Sequence, residues 1–336
     1  MLLKDKYTPK TFNEFKIHLD IINKLKLLTK NEVPNIILHG AEGTGKYTLA
    51  LNILSEIYGS DIYNKNYTKI NIKINNNNKE LKLVYSNYHY EIGVNKYLYN
   101  DKLSILKLIE HISNNRNVMT NSYNIIIIRN ADHLSLESIK SLRRRIESLY
   151  TNFRLIITCH NSSKLRNIFG GQFLYINVPI PDNNSLFNFI KYISIEEKIT
   201  INNSNINELI KQTTNLNKLL LILEYSTITG KYIKYIDTIK KEIKDLVKLI
   251  FSNNIHMISK IKQNIYALTS KNINITYIFK EIYNNINKSK LSSDCKLEIL
   301  KLCSIYNAKI CNSYKEVIHL EALVLNIMFT VSKYLS

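Results

Sequence analysis

The chain has 336 residues, 45% of them hydrophobic, enough for two or three ordered domains, so disorder as the overall state is excluded. With 46 Lys and Arg against 27 Asp and Glu, its formal charge of +19 favours a polyanionic partner, either nucleic acid or an acidic protein surface. Asn, Ile, Lys and Tyr recur in nearly every stretch, a bias that suits an AT-rich genome, so part of the charge is compositional.

The first informative element is the apolar run Ile36-Ile37-Leu38, followed by Gly40-Ala41-Glu42-Gly43-Thr44-Gly45-Lys46-Tyr47-Thr48 and an apolar-periodic helix. This order predicts strand, phosphate loop and helix: glycines let successive backbone N–H groups turn toward phosphate oxygens, and Lys46 reaches the terminal phosphates as a point charge. A plain strand-to-helix turn is the competing reading. Tyr47 stands where the motif calls for Ser or Thr to hold Mg2+, and Thr48 lies one step further along the helix.

Two alternating segments follow, 67–74 and 80–91, separated by the run Asn75 to Lys79, and they predict a hairpin. A helix over 101–113, a strand over 123–128, a helix over 135–149 and strands over 153–158 and 173–178 come next. Short apolar strands alternating with helices imply a parallel sheet covered on both faces. Pro179-Ile180-Pro181 marks a boundary, after which only helical periodicity remains. Helices near 185–198, 205–212 and 215–228 predict a small helical domain, and those near 232–250, 253–266, 271–284, 291–308 and 313–334 a second. The expected organisation is a core over 1–181, a helical domain over 182–230 and another over 231–336. Cys159, Cys295, Cys303 and Cys311 are too widely spread for a zinc ribbon and read as buried thiols in a reducing compartment. Met1 to Lys6 hold no signal-peptide stretch and no run approaches a membrane span, so the expectation is a soluble intracellular protein without a membrane partner.

The order of elements and its signatures resemble the clamp-loader small subunits of the AAA+ family, and among them the poorly hydrolytic type found in eukaryotic replication factor C. Lys6-Tyr7-Thr8-Pro9-Lys10 is similar to the family's N-terminal Lys-Tyr-Arg-Pro-Lys segment. Gly43-Thr44-Gly45-Lys46-Tyr47-Thr48 resembles the Gly-Thr-Gly-Lys-Lys-Thr of that type, which also lacks a hydroxyl directly after the lysine. Ser86-Asn87-Tyr88-His89-Tyr90-Glu91, Leu142-Arg143-Arg144 with Glu147, and His319-Leu320-Glu321-Ala322 match three further signatures in the right order. The resemblance implies an α/β P-loop AAA+ core, a helical lid and a helical collar for oligomerisation. ATP or ADP would be held by Gly40, Gly43, Thr44, Gly45, Lys46, Tyr47 and Thr48 together with Tyr7, Pro9 and Lys218. The partners it implies are the other subunits of a hetero-pentamer, a PCNA-like sliding clamp and primer-template DNA. The nucleus, or a cytoplasmic replication site if the source is viral, is the expected compartment.

The hydrolytic residues of such a fold are largely absent. ATP hydrolysis needs one carboxylate at the end of the central strand to hold Mg2+ and another to activate water, because phosphoryl transfer depends on positioning and charge neutralisation. Arg129 and Asn130 stand at those two places; Arg129 could instead bring positive charge to a phosphate. Asp132 lies beyond the usual metal position and reads first as a helix N-cap; with Thr48 it is a weak Mg2+ candidate. Following the resemblance, the polar sensor of the terminal phosphate falls at His160 or Asn161, the lid arginine at Asn217 beside Lys218, and the arginine finger at Gln172. A catalytically silent subunit is therefore expected.

Lys140, Arg143, Arg144 and Arg145 share one helix, and the resemblance puts that helix near the ring bore. Lys140, Arg144 and Arg145 are the DNA-contacting candidates, through phosphates rather than bases; the alternatives are a solvated face, or pairing of Arg143 or Arg144 with Glu147. Tyr97, Leu98, Tyr99, Leu149 and Tyr150 are candidate clamp contacts. The rival functional readings are an alternative loader or unloader and an independent AAA+ ATPase.

Overall fold

The computed structural model describes residues 2–28, 33–74, 77–94, 106–109, 112, 123–148, 153–229, 238–252, 255–271, 273, 275–289, 291–311, 313 and 316–335. The chain forms two compact units, Met1–Ile233 and Lys234–Ser336.

The first unit is built on a seven-stranded sheet of β1 (Ile36–His39), β2 (Asn66–Ile74), β3 (Asn77–Tyr85), β4 (His89–Gly93), β5 (Asn124–Arg129), β6 (Phe153–Cys159) and β7 (Leu174–Asn177). Its order is β2-β3-β4-β5-β6-β1-β7. The five strands from β4 to β7 run parallel, while β2, β3 and β4 pair antiparallel. Because successive side chains of a strand point to opposite faces, Ile36, Leu38, Ile125, Ile127 and Ile156 enter one core while Ile37, Ile126, Ile128, Leu155 and Ile157 enter the other. Both faces are covered, which is why these strands read as continuous apolar runs rather than alternating ones.

Of the helices covering the sheet, those that begin at Lys46 and Leu136 are ones the sequence indicates, while the helices Leu19–Leu28 and Ser163–Phe169 were not foreseen. With α1 as Leu3–Lys6, α2 (Leu19–Leu28) and α3 (Lys46–Tyr58) contribute Leu25, Leu49, Ile53 and Leu54 to one core. On the opposite face, α4 (Leu136–Ser148) contributes Ile139, Leu142 and Ile146, and α5 (Ser163–Phe169) contributes Leu165 and Phe169. The expected helix over 101–113 is described only at 106–109 and 112, where it is helical and where Leu108, Ile109 and Ile112 are buried.

The hairpin reading needs correction in its second arm, because 80–91 is two strands rather than one. Ser86 breaks the run: its Oγ accepts from the backbone N–H groups of Tyr88 and His89, and this local bond turns the chain so that β4 pairs parallel with β5. Asn77 to Lys79, read as loop, belong to β3.

After Pro181 the first unit continues with α6 (Asn183–Glu196), α7 (Asn203–Gln212) and α8 (Leu216–Thr229). Leu186, Ile190, Ile206, Leu209, Leu219 and Leu223 form their shared core, joined by Leu3 and Ile17 from the N-terminal segment.

Among its described residues the second unit holds helices only: α9 (Thr238–Phe251), α10 (Ile258–Ser270), α11 (Ile275–Asn287), α12 (Ser293–Cys311) and α13 (Glu316–Leu335), with a short 3-10 turn at Ile255–Met257. In α9 the buried Ile243, Leu246, Val247 and Ile250 follow helical spacing and pack with Ile261, Ile278, Ile282, Ile299 and Ile327. Contrary to the sequence expectation, α13 contains an 18-residue stretch, Val317–Tyr334, long and apolar enough by length and composition to cross a membrane. Its buried side chains, Leu320, Leu323, Val324, Ile327 and Val331, line the core of this unit, which accounts for the apolar character. Cys159 and Cys295 are buried free thiols; Cys303 is free and half-buried.

Candidate functional site

The loop between β1 and α3 is shaped by three glycines of positive φ: Gly40 (154°), Gly43 (74°) and Gly45 (89°). A Cβ on Gly40 would lie 2.1 Å from the Val178 carbonyl oxygen, so the chain leaving β7 passes where only glycine fits. A Cβ on Gly43 would meet Asn215 Oδ1 at 2.0 Å, and the Gly43 carbonyl accepts from Leu216 N–H at 3.1 Å. The start of α8 is therefore seated directly on the loop. Lys46 opens α3 and its Nζ donates to the carbonyls of Gly40 (2.7 Å) and Ala41 (2.5 Å). Burial lowers the Lys46 pKa, against the opposing pull of Cys159, Asp132 and Glu42.

Beside the loop opens a small cleft of about 90 Å3. Gly43, Thr44, Gly45 and Thr48 line it on the loop side, Tyr7, Pro9 and Phe15 on the N-terminal side, and Phe189, Leu216, Asn217 and Leu220 on the helical side. Of the residues read from sequence, Tyr7, Pro9, Gly43, Thr44, Gly45 and Thr48 converge here. Gly40, Lys46 and Lys218 are not in the lining; the Lys218 backbone N–H donates to Asn215 Oδ1. His18 was not foreseen: with φ of 62° it puts Nε2 3.1 Å from the Thr44 carbonyl oxygen, and burial lowers its pKa. Tyr7 Oη donates to Glu197, which also takes Lys6, tying the N-terminal segment to the end of α6.

Tyr47 turns away from this cleft. Its hydroxyl donates to the Glu91 carboxylate (2.8 Å) and accepts from Lys65 Nζ (2.7 Å). Glu91, 2% exposed at the side chain, also pairs with Lys65 at 2.7 Å and with His89 Nε2 at 3.1 Å, while His89 Nδ1 meets Ser86 Oγ at 2.7 Å. Burial alone would raise the Glu91 pKa, but the bonds from His89, Lys65 and Tyr47 outweigh it and hold it at about 2. Burial, then Glu91, push the Tyr47 hydroxyl well above its ordinary value. The Ser86-His89-Glu91 chain has the residue types of a nucleophilic triad, yet all three are buried and no substrate could reach Ser86. Its role is to fix Glu91 as the anchor for Tyr47. The Ser86 to Glu91 signature was visible in sequence; nothing there linked it to Tyr47.

Arg129, at the end of β5, stacks on the same tyrosine, its Cζ 4.9 Å from the ring centroid. Its Nε is buried with no hydrogen-bond partner. Asn130 follows in the left-handed conformation at φ of 58°. Asp132 does not cap a helix: its carboxylate accepts from the backbone N–H groups of His160 (2.6 Å) and Asn161 (2.9 Å), while Ser135 caps α4 through Ser138 N–H. The Asn161 side chain is committed to Ser163.

The residues implied for Mg2+ do not fit a metal. The two anchor positions are Tyr47 and Arg129, Glu91 is saturated by donors, and Asp132 is bound to backbone amides. Among the described residues no group of three or more His, Cys, Asp or Glu could hold an ion. For phosphate the fit is good: a glycine loop of positive φ, a lysine at its base and a helix N-terminus.

On α4, Lys140, Arg143 and Arg144 are exposed and Arg145 is half-buried. Arg143 donates to Glu147 (2.9 Å) and to the Ile168 carbonyl (2.8 Å), and Gln172 donates to the same Glu147 oxygen (2.8 Å). Arg143 thus braces the segment carrying Gln172. Tyr97, Leu98, Tyr99, Leu149 and Tyr150 lie outside the described residues.

Comparison with known proteins adds a second line. Residues 239–335 match the family model "Replication factor C subunit 3, C-terminal domain". The chain is similar to replication factor C subunit 3 of Arabidopsis thaliana, 25% identical over 353 residues and covering 100% of this chain and 99% of that protein. It is similar to replication factor C subunit 5 of Saccharomyces cerevisiae, 26% identical over 351 residues and covering 96% and 98%. A putative replication factor C small subunit of Acanthamoeba polyphaga mimivirus is 24% identical over 336 residues, with 98% and 90% covered. Among solved structures, a Thermotoga maritima RuvB variant overlays 72% of this chain and 79% of its own, at TM-score 0.45 and 16% identity. Along nearly its whole length the chain is thus similar to replication factor C subunits 3 and 5, and residues 239–335 match the C-terminal domain model of such a subunit.

Proposed function

We propose that the chain is a hydrolysis-deficient small subunit of a sliding-clamp loader. It occupies one seat of a hetero-pentamer that places a PCNA-like ring on primer-template DNA while sister subunits turn over ATP. Similarity to replication factor C subunits 3 and 5 along nearly the whole chain supports the assembly. The observation that carries the silent seat is the Tyr47 to Arg129 stack, which fills both positions from which a hydrolytic site would hold Mg2+. The glycine loop and Lys46 support retained binding of ATP or ADP, with Tyr7 and Pro9 flanking the cleft. Asn130 and Gln172, in place of a general base and an arginine finger, support silence in its own site and in a neighbour's. Residues 182–230 act as a lid and 231–336 as a collar in this reading. Lys140, Arg144 and Arg145 supply phosphate contacts to duplex DNA. The site of action is a nucleus, or a viral replication site in the cytoplasm, since both cellular and viral relatives match.

The test is steady-state ATP turnover by the purified chain and by the assembled complex. No turnover above background is expected from the chain alone, and Lys46→Ala should leave the turnover of the complex nearly unchanged. Turnover by the isolated chain that Lys46→Ala abolishes would favour an independent ATPase.

A further inference from the structure

In a hydrolytic phosphate loop a divalent cation neutralises the terminal phosphates, anchored by a hydroxyl after the lysine and a carboxylate at the strand end. Here those positions carry an aromatic ring and a guanidinium in direct contact. The nearest buried carboxylate, Glu91, is consumed by Tyr47, Lys65 and His89. Arg129 makes no ion pair with it, stacks on an uncharged ring and keeps a buried Nε without a hydrogen-bond partner. A cation so placed repels a second cation and favours an anion, and the planar guanidinium fork matches phosphate oxygens.

The geometry points to a nucleoside di- or triphosphate site that works without a divalent metal, in which Arg129 and Lys46 supply the countercharge. This inference rests on the nucleotide-binding reading above. It makes a distinction within that reading, because binding and metal dependence can fail separately.

The experiment is equilibrium titration of the full-length chain with a fluorescent ADP analogue and a fluorescent ATP analogue, in Mg2+ and in excess EDTA. The expected Kd values agree within about twofold between the two conditions, well under the tenfold that corresponds to ~1.4 kcal/mol. Arg129→Ala should weaken binding about tenfold or more in both, with Arg129→Lys partly restoring it, as a charge without the fork would. The pair Tyr47→Thr with Arg129→Asp should make binding Mg2+-dependent. Mg2+ tightening the wild-type Kd about tenfold or more would overturn the metal-free site and leave nucleotide binding standing. No binding in either condition would overturn both. Wild-type binding that Arg129→Ala leaves intact would remove Arg129 from the site.

Discussion

Tyr47 and Arg129 lie 4.9 Å apart, ring centroid to guanidinium carbon, although 82 positions separate them in the chain and each departs from the residue type a hydrolytic phosphate loop requires. Either departure alone would leave a problem: an unpaired guanidinium beside a hydroxyl, or a bulky ring beside a carboxylate. Together they form one cation–π contact, with Glu91 and Lys65 completing the surroundings of the tyrosine.

Tyr47→Phe keeps the ring under Arg129 but removes the hydroxyl, leaving Glu91 with one donor fewer and Lys65 with one acceptor fewer. A loss of about 1–3 kcal/mol in urea unfolding is expected, the range for an unsatisfied buried polar group. A change within experimental error would mean that water replaces the hydroxyl at no cost.

Glu91 sets an acid limit. Its carboxyl falls from an ordinary 4.5 to about 2 on folding, so its stabilisation is fully present above pH 4.5 and is lost as pH falls toward 2. The contribution is on the order of 3 kcal/mol. Thermal unfolding against pH should show the wild type losing stability through that window, with Glu91→Gln less stable at neutral pH and flatter below 4.5.

The glycines of the loop differ in what they protect. Gly40→Ala drives a Cβ into the Val178 backbone and should destabilise the first unit by several kcal/mol. In Gly43→Ala the clash is with the Asn215 side chain, which can rotate away. Its main effect should be weaker nucleotide binding, read by titration, as the start of α8 loses its seat on the loop.

Asp132→Ala removes two charge-assisted bonds to the amides of His160 and Asn161 and should cost about 2–3 kcal/mol by denaturant unfolding. Nucleotide affinity should respond no differently to Mg2+ in this variant.

On α4, Lys140→Ala and Arg144→Ala should each weaken primer-template binding by the assembled complex regardless of sequence. Each should also lower the salt slope by about one. Arg143→Ala should change that slope less, because Arg143 is engaged with Glu147 and Ile168.

The fold was legible because its signals are local: the Ile-rich strands 125–128 and 155–157, the loop from Gly40 to Thr48 and the helical spacing after Pro181 all declare themselves within a few residues. The break at Ser86 was not legible, since a buried turn made by one hydroxyl leaves the strand pattern on either side intact. In the site, the odd residues at 47 and 129 were plain, and so was the loss of the acid pair. Their contact was not, because it depends on β4 and β5 carrying Glu91 and Arg129 to the same end of the sheet. Asp132 shows the same limit: its partners lie 28 and 29 residues away, beyond any capping pattern.

The most direct test of the account is native mass spectrometry after co-expression with the other candidate loader subunits from the same genome. The account predicts a hetero-pentamer holding one copy of this chain. A monomer or homo-oligomer that ignores those subunits would contradict it.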